Sequence, residues 1–233
     1  MTRWFPSEEW LEAYQGRLNA NEDYIESSDG WGEEFLGSFI FEINGLPLTE
    51  TTIGELPDEL TAPFRTALTE ASEARIETLR ETAPPALAQR LDEATGEPPR
   101  DRLITALFDT AIVNAPDVVS TELRVELPDD LENLLDQLDR YAHDDTVYAY
   151  LDLEDGRCNE AAVLEDPDTT TAGFVLSAQY QQWTELIDGA DVIEAVMSRD
   201  MSLDGDITNV IIYPEAAQEM GDTAGRLETT FLF

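Results

Sequence analysis

The stretch Thr171–Asp206, TAGFVLSAQYQQWTELIDGADVIEAVMSRDMSLDGD, decides the fold. Phe174, Val175 and Leu176 form a short apolar run that reads as a buried strand. Ser177 follows as a helix N-cap, its hydroxyl placed to accept from an exposed amide of the first turn. Tyr180, Trp183, Leu186 and Ile187 then recur at three- and four-residue spacing, which makes one apolar helical face. Gly189 closes that helix, because a residue without a Cβ turns left-handed at no steric cost. Val192, Ile193, Val196 and Met197 share one side of a second short helix. Met201 and Leu203 alternate as a strand, and Gly205-Asp206 turns into a further helix.

Working outward, Phe35–Ile43 alternates, with Phe35, Gly37, Phe39, Phe41 and Ile43 on one face. Aromatic and β-branched residues at period two favour a strand, and Asn44-Gly45 reads as the tight turn that ends it. Val147, Ala149, Leu151 and Leu153 alternate likewise, Asp155-Gly156 is a hairpin signal, and Asn159–Leu164 is the return strand. The ordered series is a first strand, a "D-G" hairpin, a strand, a helix with a central Trp, a Gly, a short helix, an "L-x-G-D" strand and a final helix. It resembles the SCP-2 (sterol carrier protein 2) family of lipid-binding domains over about residues 35–50 and 145–222. The chain departs from the family by spending roughly a hundred residues between its first and second strands, where a short hairpin is expected. The expectation is an α+β fold, an SCP-2-like five-stranded mixed sheet covered by helices on one face. The domain is discontinuous, residues 1–45 and 146–233, with a helical insert over 46–145.

That insert reads as helical throughout. Leu60, Phe64, Ala67, Leu68 and Ala71 share a face, Pro84-Pro85 and Gly96-Glu97-Pro98-Pro99 break the pattern, and Leu103, Ile104, Leu107, Phe108, Ala111 and Ile112 form a stronger face. Leu123, Val125 and Leu127 alternate as a short strand. Pro128 opens a helix with Leu131, Leu134, Leu135, Leu138 and Tyr141 on its buried side. The insert either packs over the sheet or builds its own helical subdomain. At the ends, Ser7 caps a helix carrying Trp10, Leu11, Tyr14 and Leu18, and Pro214 splits the last helix after Ile207, Val210 and Ile211. The closing LETTFLF alternates Leu227, Thr229, Phe231 and Phe233, which suits either an added edge strand or a lid across a binding site.

Charge narrows the function classes. The chain carries 51 acidic and 13 basic residues, a formal −38, and every basic residue is an arginine. With 42% hydrophobic residues in clear periods, this is a folded protein with an acidic shell, as in salt-adapted cytoplasms. No basic stripe exists to meet a nucleic-acid backbone or an anionic membrane. Cys158 is the one cysteine, so no internal disulfide forms. The opening Met1-Thr2-Arg3-Trp4-Phe5-Pro6 runs into Ser7-Glu8-Glu9, unlike a secretory signal, and no apolar run approaches a membrane span. The expected place is the cytoplasm.

Catalytic chemistry is sparse. His143 is the one histidine and sits in a surface-like His143-Asp144-Asp145 run, with no nucleophile on a strained turn beside it. Zinc has no His or Cys cluster, and Asp200, Asp204 and Asp206 lack the spacing of an EF-hand. No phosphate loop is present. The sequence therefore assigns no catalytic residue, no metal and no cofactor. What the resemblance implies is a non-enzymatic carrier of a hydrophobic ligand (fatty acyl, isoprenoid or sterol-like) held in an apolar tunnel. Its candidate walls are Phe39, Phe41, Val147, Leu151, Phe174, Trp183, Ile187, Val196 and Val210, and its candidate lid is Phe231 and Phe233. Two other readings stay open: an enzyme using carboxylates as acid and base on an acyl or isoprenoid substrate, and a protein-interaction or homo-oligomerisation module with a filled core.

Overall fold

The computed structural model describes residues 3–93 and 98–233, so the Gly96-Glu97 breaker lies outside the described residues. Two compact units emerge: among the described residues, one comprises residues 3–46 and Tyr141–Phe231, the other lies within Pro47–Arg140 with Leu232–Phe233. In chain order the first unit opens with α1 (Glu8–Leu18) and α2 (Glu22–Ser27), followed by β1 (Phe39–Asn44). The second unit supplies α3 (Asp58–Glu70), α4 (Glu73–Glu81), α5 (Pro85–Glu93), α6 (Pro99–Phe108), α7 (Ala115–Val118), α8 (Thr121–Arg124) and α9 (Asp129–Tyr141, whose last residue belongs to the first unit). The first unit resumes with β2 (Val147–Glu154), β3 (Arg157–Leu164), β4 (Phe174–Gln179), α10 (Tyr180–Ile187), α11 (Val192–Ser198), β5 (Ser202–Asp204), α12 (Ile207–Ile212) and α13 (Pro214–Gly225).

The five strands form one mixed sheet in the order β3-β2-β1-β4-β5. β1 lies antiparallel to β2 and parallel to β4, and β5 returns antiparallel to β4. Register sets the faces. Phe39 stands opposite both Leu151 and Phe174, Phe41 opposite Ala149 and Leu176, and Ile43 opposite Val147 and Ala178. These residues share the face that the helices cover, and β2 alternates buried and half-buried residues along its length. The β2–β3 hairpin turns through Asp155 (φ 45°) and Gly156 (φ 74°), the two positive φ values that a two-residue hairpin demands.

Stacked aromatics hold the covered face. Phe39 packs flat on Phe174 at 4.9 Å between ring centres, and Trp31 stacks on Phe39 at 5.8 Å while donating its indole N–H to the Gly37 carbonyl at 2.8 Å. Ser7 caps α1 by accepting from the Trp10 amide at 3.0 Å. At its other end α1 is bolted to β3: Asn19 accepts from the Cys158 amide at 2.8 Å and donates to the Cys158 carbonyl at 2.9 Å, joined there by Gln15 at 3.0 Å. Asn21 caps α2 and reaches Glu219 and Thr223 of α13, both at 2.9 Å.

In the helical unit, Leu60, Phe64 and Leu68 of α3 are buried, and Phe64 stacks on Phe108 of α6 at 5.5 Å. Arg75 pairs with Glu126 at 2.7 Å, and Arg124 with Asp136 at 2.7 Å. α9 buries Leu131, Leu134, Leu135, Leu138 and Tyr141, as its spacing predicts.

Four local expectations are corrected. Ser177 does not cap a helix: β4 continues through Gln179 because its backbone pairs with β1 as far as Asn44, and the Ser177 hydroxyl donates to the Glu42 carboxylate on the neighbouring strand. Leu123, Val125 and Leu127 are not a strand. Ser120 caps the α8 turn there by accepting from the Leu123 amide at 3.2 Å, which leaves Val125 77% exposed. β1 begins at Phe39, since Phe35–Ser38 carries no ladder with β2. The closing tail adds no strand to the sheet. Thr230 instead bridges Trp4 in parallel, accepting from the Phe5 amide at 3.1 Å and donating its own amide to Arg3 at 2.9 Å.

Candidate functional site

The covered face of the sheet is not fully closed by its helices. A cavity of about 110 Å³ lies against Phe39, Phe41, Ala149, Leu176 and Leu203 of the sheet. α10 contributes Trp183, Leu186 and Ile187 to one side, and Phe41 packs on Trp183 at 5.0 Å. The N-terminal segment contributes Phe5, Trp10, Leu11 and Tyr14, tied together by an edge-to-face Phe5–Trp10 pair at 4.9 Å and a Trp10–Tyr14 stack at 5.2 Å. α13 contributes Ala217, Met220, Gly221 and Ala224.

Small side chains make the space. Ala217, Gly221 and Ala224 fall four and three residues apart, so α13 turns one nearly flat stripe toward the cavity. Ala149 is the matching small residue on the sheet. A Cβ built on Gly221 meets nothing within 4 Å, so this point of α13 has room for a side chain.

The walls are dry in a chemical sense as well. Three aromatic residues of the lining carry polar atoms, and each is spent on a protein partner. Trp10 donates its indole N–H to Thr229 Oγ1 at 2.9 Å, Trp183 donates to the Glu42 carbonyl at 3.3 Å, and the Tyr14 hydroxyl donates to the Met220 carbonyl at 3.1 Å. Burial holds the Tyr14 phenol well above its ordinary value, with the nearby Tyr24 and Cys158 adding to the shift. No aspartate, glutamate, arginine or histidine is among the residues that line the space. An apolar space of this kind attracts no ordered water, because water needs polar partners there.

On one side the cavity meets solvent through α11 and α12. Val192, Ile193, Val196 and Met197 of α11 and Ile207, Val210 and Ile211 of α12 line it, yet neither helix buries a single residue. Met197 is 71% exposed and Ile211 56%. Side chains that both line a cavity and face solvent form its rim. The two rim helices are linked by β5, whose following Gly205 sits at φ 128° with the Phe174 ring 2.6 Å from any added Cβ.

Of the nine wall residues named from sequence, Phe39, Phe41, Trp183, Ile187, Val196 and Val210 come together around the cavity. Val147, Leu151 and Phe174 are buried on the same sheet face but outside the lining, at its Ile43 and Phe39 registers. Phe231 and Phe233 are half-buried and do not line the cavity. Sequence reasoning missed the contributions of Phe5, Trp10, Leu11 and Tyr14. The apolar face of α1 was legible, but its destination was not. The small-residue stripe of α13 was also missed, although its four-and-three spacing was a readable signal.

Other reactive groups lie apart. His143 is exposed, with its ring Nε2 2.9 Å from the Glu165 carbonyl. Cys158 is buried in β3, and burial pushes its thiol up to about 12, with the Asp152 carboxylate adding to the effect. Among the described residues no group of three or more His, Cys, Asp or Glu is placed to hold a metal ion, and no helix is long and apolar enough to cross a membrane.

Comparison with known proteins gives no match to a family model and none to a curated protein. Among solved structures, the chain is similar to a crystal structure of sterol carrier protein 2, at 18% identity and a TM-score of 0.49, over 95% of this chain and 97% of that one. It is also similar to the solution structure of a conserved hypothetical protein from Thermus thermophilus, described there as a candidate sterol carrier protein. That match has 17% identity and a TM-score of 0.45, over 94% and 85% of the two chains.

Proposed function

We propose that this protein is a non-enzymatic carrier that holds a lipid chain in the cavity between its sheet and α10–α13. The observation that carries the reading is the chemistry of that space: about 110 Å³, walled by aromatic and aliphatic groups, with its lining indole and phenol groups already bonded to protein. Each methylene moved from water into such a place contributes roughly 0.8 kcal/mol, so seating about four of them supplies roughly 3 kcal/mol before the costs of association. The chain end sits inside, and the remainder leaves past Met197, Ile207 and Ile211, whose exposed side chains cover it. The order of strands and helices read from the sequence points the same way. An acid–base enzyme draws no support from the cavity, because no carboxylate lines it.

Tryptophan emission is the direct assay, since Trp10 and Trp183 both face the space. Titration with a pyrene-labelled alkyl chain should quench it saturably at one equivalent, and native mass spectrometry should show one apolar molecule bound. Absence of any saturable signal across several chain types would remove the carrier reading. A second reading, an interaction module, draws on the rim: Ile212 is 65% exposed and lies outside the cavity lining. It predicts self-association that Ile212→Ser abolishes in sedimentation velocity without changing chain binding.

A further inference from the structure

Resting on that reading, we infer that the cavity selects its ligand by head group, accepting chains with an uncharged or cationic head and rejecting those with a carboxylate or phosphate. Two features of the site lead there independently: what lies inside it, and what surrounds its mouth.

Inside, an anionic head has nothing to bind. The N–H groups of Trp10 and Trp183 and the hydroxyl of Tyr14 are each donated to a protein oxygen, at 2.9, 3.3 and 3.1 Å. No arginine lines the space, and the chain has no lysine. A carboxylate drawn in would give up its water without a replacement donor, a cost that burial of an unpaired charge never recovers. The head group must therefore remain at the mouth.

At the mouth, carboxylates outnumber cations five to one. Between Asp191 and Ile212, the stretch that forms the rim, there are five carboxylates (Asp191, Glu194, Asp200, Asp204 and Asp206) against Arg199 as the one cation, and all six are exposed. At the start of each rim helix one backbone amide that could hold an anion is taken by the chain's own side chain. Asp191 accepts from the Glu194 amide at the start of α11 at 2.9 Å, and Asp206 from the Thr208 amide at the start of α12 at 3.0 Å. An incoming anion meets five carboxylates against one arginine, and the capping aspartates already occupy an amide at the start of each rim helix. An ammonium or hydroxyl head meets carboxylate acceptors.

The test compares four probes of one chain length below their aggregation limits: dodecanol, dodecylamine, methyl dodecanoate and dodecanoate. Each is titrated into the full-length protein at pH 8 in the lowest salt at which circular dichroism shows it folded, because molar salt would screen the rim carboxylates, with tryptophan emission as readout. Gly221→Leu, which fills the cavity, separates specific from surface binding. The expected result is a saturable change in tryptophan emission with the alcohol, the amine and the ester, lost in Gly221→Leu, with dodecanoate at least about tenfold weaker. The ester and the acid differ in little but charge, so a gap between them isolates the head-group effect. Equal or tighter binding of dodecanoate overturns the selectivity and leaves the carrier reading standing. No specific binding of any probe overturns both.

Discussion

Gly221 separates the cavity from the stability of the fold more cleanly than any other residue. It sits inside α13, where glycine is a poor helix former, and a side chain added there meets empty space. Gly221→Leu should hold or raise the melting temperature, since replacing a mid-helix glycine gains up to about 1 kcal/mol, while chain binding disappears. Trp183→Ala makes the opposite trade: binding weakens, but the loss of a buried indole costs about 3–5 kcal/mol in denaturant melts. Cys158 reports on pH. Its thiol ordinarily ionises near 9.0 and here is pushed up to about 12, chiefly by burial. A thiol that stays protonated longer in the folded chain contributes stability that is full below pH 9 and is lost as pH climbs toward 12. Denaturant midpoints should therefore hold up to about pH 9 and fall above it, and Cys158→Ala should make the onset of that fall shallower. Native protein should also resist thiol reagents at pH 8 until it is unfolded.

Among the helices of the sheet unit, α11 and α12 are anchored least. α10 buries Tyr180, Trp183 and Ile187, and α13 buries Ala216, Thr223 and Ala224, whereas the two rim helices bury nothing. Hydrogen exchange should be fastest in Val192–Ser198 and Ile207–Ile212 and should slow there when a chain occupies the cavity. Equal protection of all four helices would remove their role as the moving side. This is also the scale at which the sequence was most readable. Period-two alternation located the covered faces of β1 and β2, a short apolar run located β4, and Asp155-Gly156 marked the hairpin, because these signals are local. It misled where a distant partner decides the outcome. Ser177 has an N-cap side chain, but pairing with Glu42 and its neighbours carried the strand past it. Leu123 and Leu127 alternate like a strand, but the Ser120 cap claimed them for a helical turn. The cavity itself was the least legible feature. Periodicity marks which residues are buried, not whether they fill the space they enclose. That depends on small residues as remote as Ala149 and Ala217 arriving at one place.

At the scale of the whole molecule, charge dominates. A formal −38 with no lysine gives self-repulsion over the entire surface, which ion pairs such as Arg75–Glu126 and Arg124–Asp136 at 2.7 Å, Arg100–Glu73 at 2.8 Å and Arg80–Glu77 at 2.9 Å offset only locally. Screening reaches about 3 Å in molar salt and about 30 Å at 0.01 M, so repulsion that is local in the first case is collective in the second. Circular dichroism should show structure retained in molar salt and lost on dialysis to about 10 mM. Equal stability in both would remove the salt-adapted reading.

The last consequence comes from the foot of the long excursion between β1 and β2. The Leu46 amide donates to the Asp145 carbonyl at 3.0 Å, the Thr146 hydroxyl donates to Asn44 Oδ1 at 2.9 Å, and Ile43 faces Val147 in register. These contacts all belong to the sheet unit, so the two strands meet as a hairpin does, whatever the chain between them encloses. Excising residues 47–140 and joining the ends with a few Gly and Ser residues should leave a folded sheet unit that still quenches with an alkyl probe, since loop-closure entropy changes only slowly with length. In engineering terms this foot is a graft point. Segments exchanged there should leave the strand pairing intact, and a reporter domain inserted between Leu46 and Tyr141 should leave the register of the sheet unit unchanged.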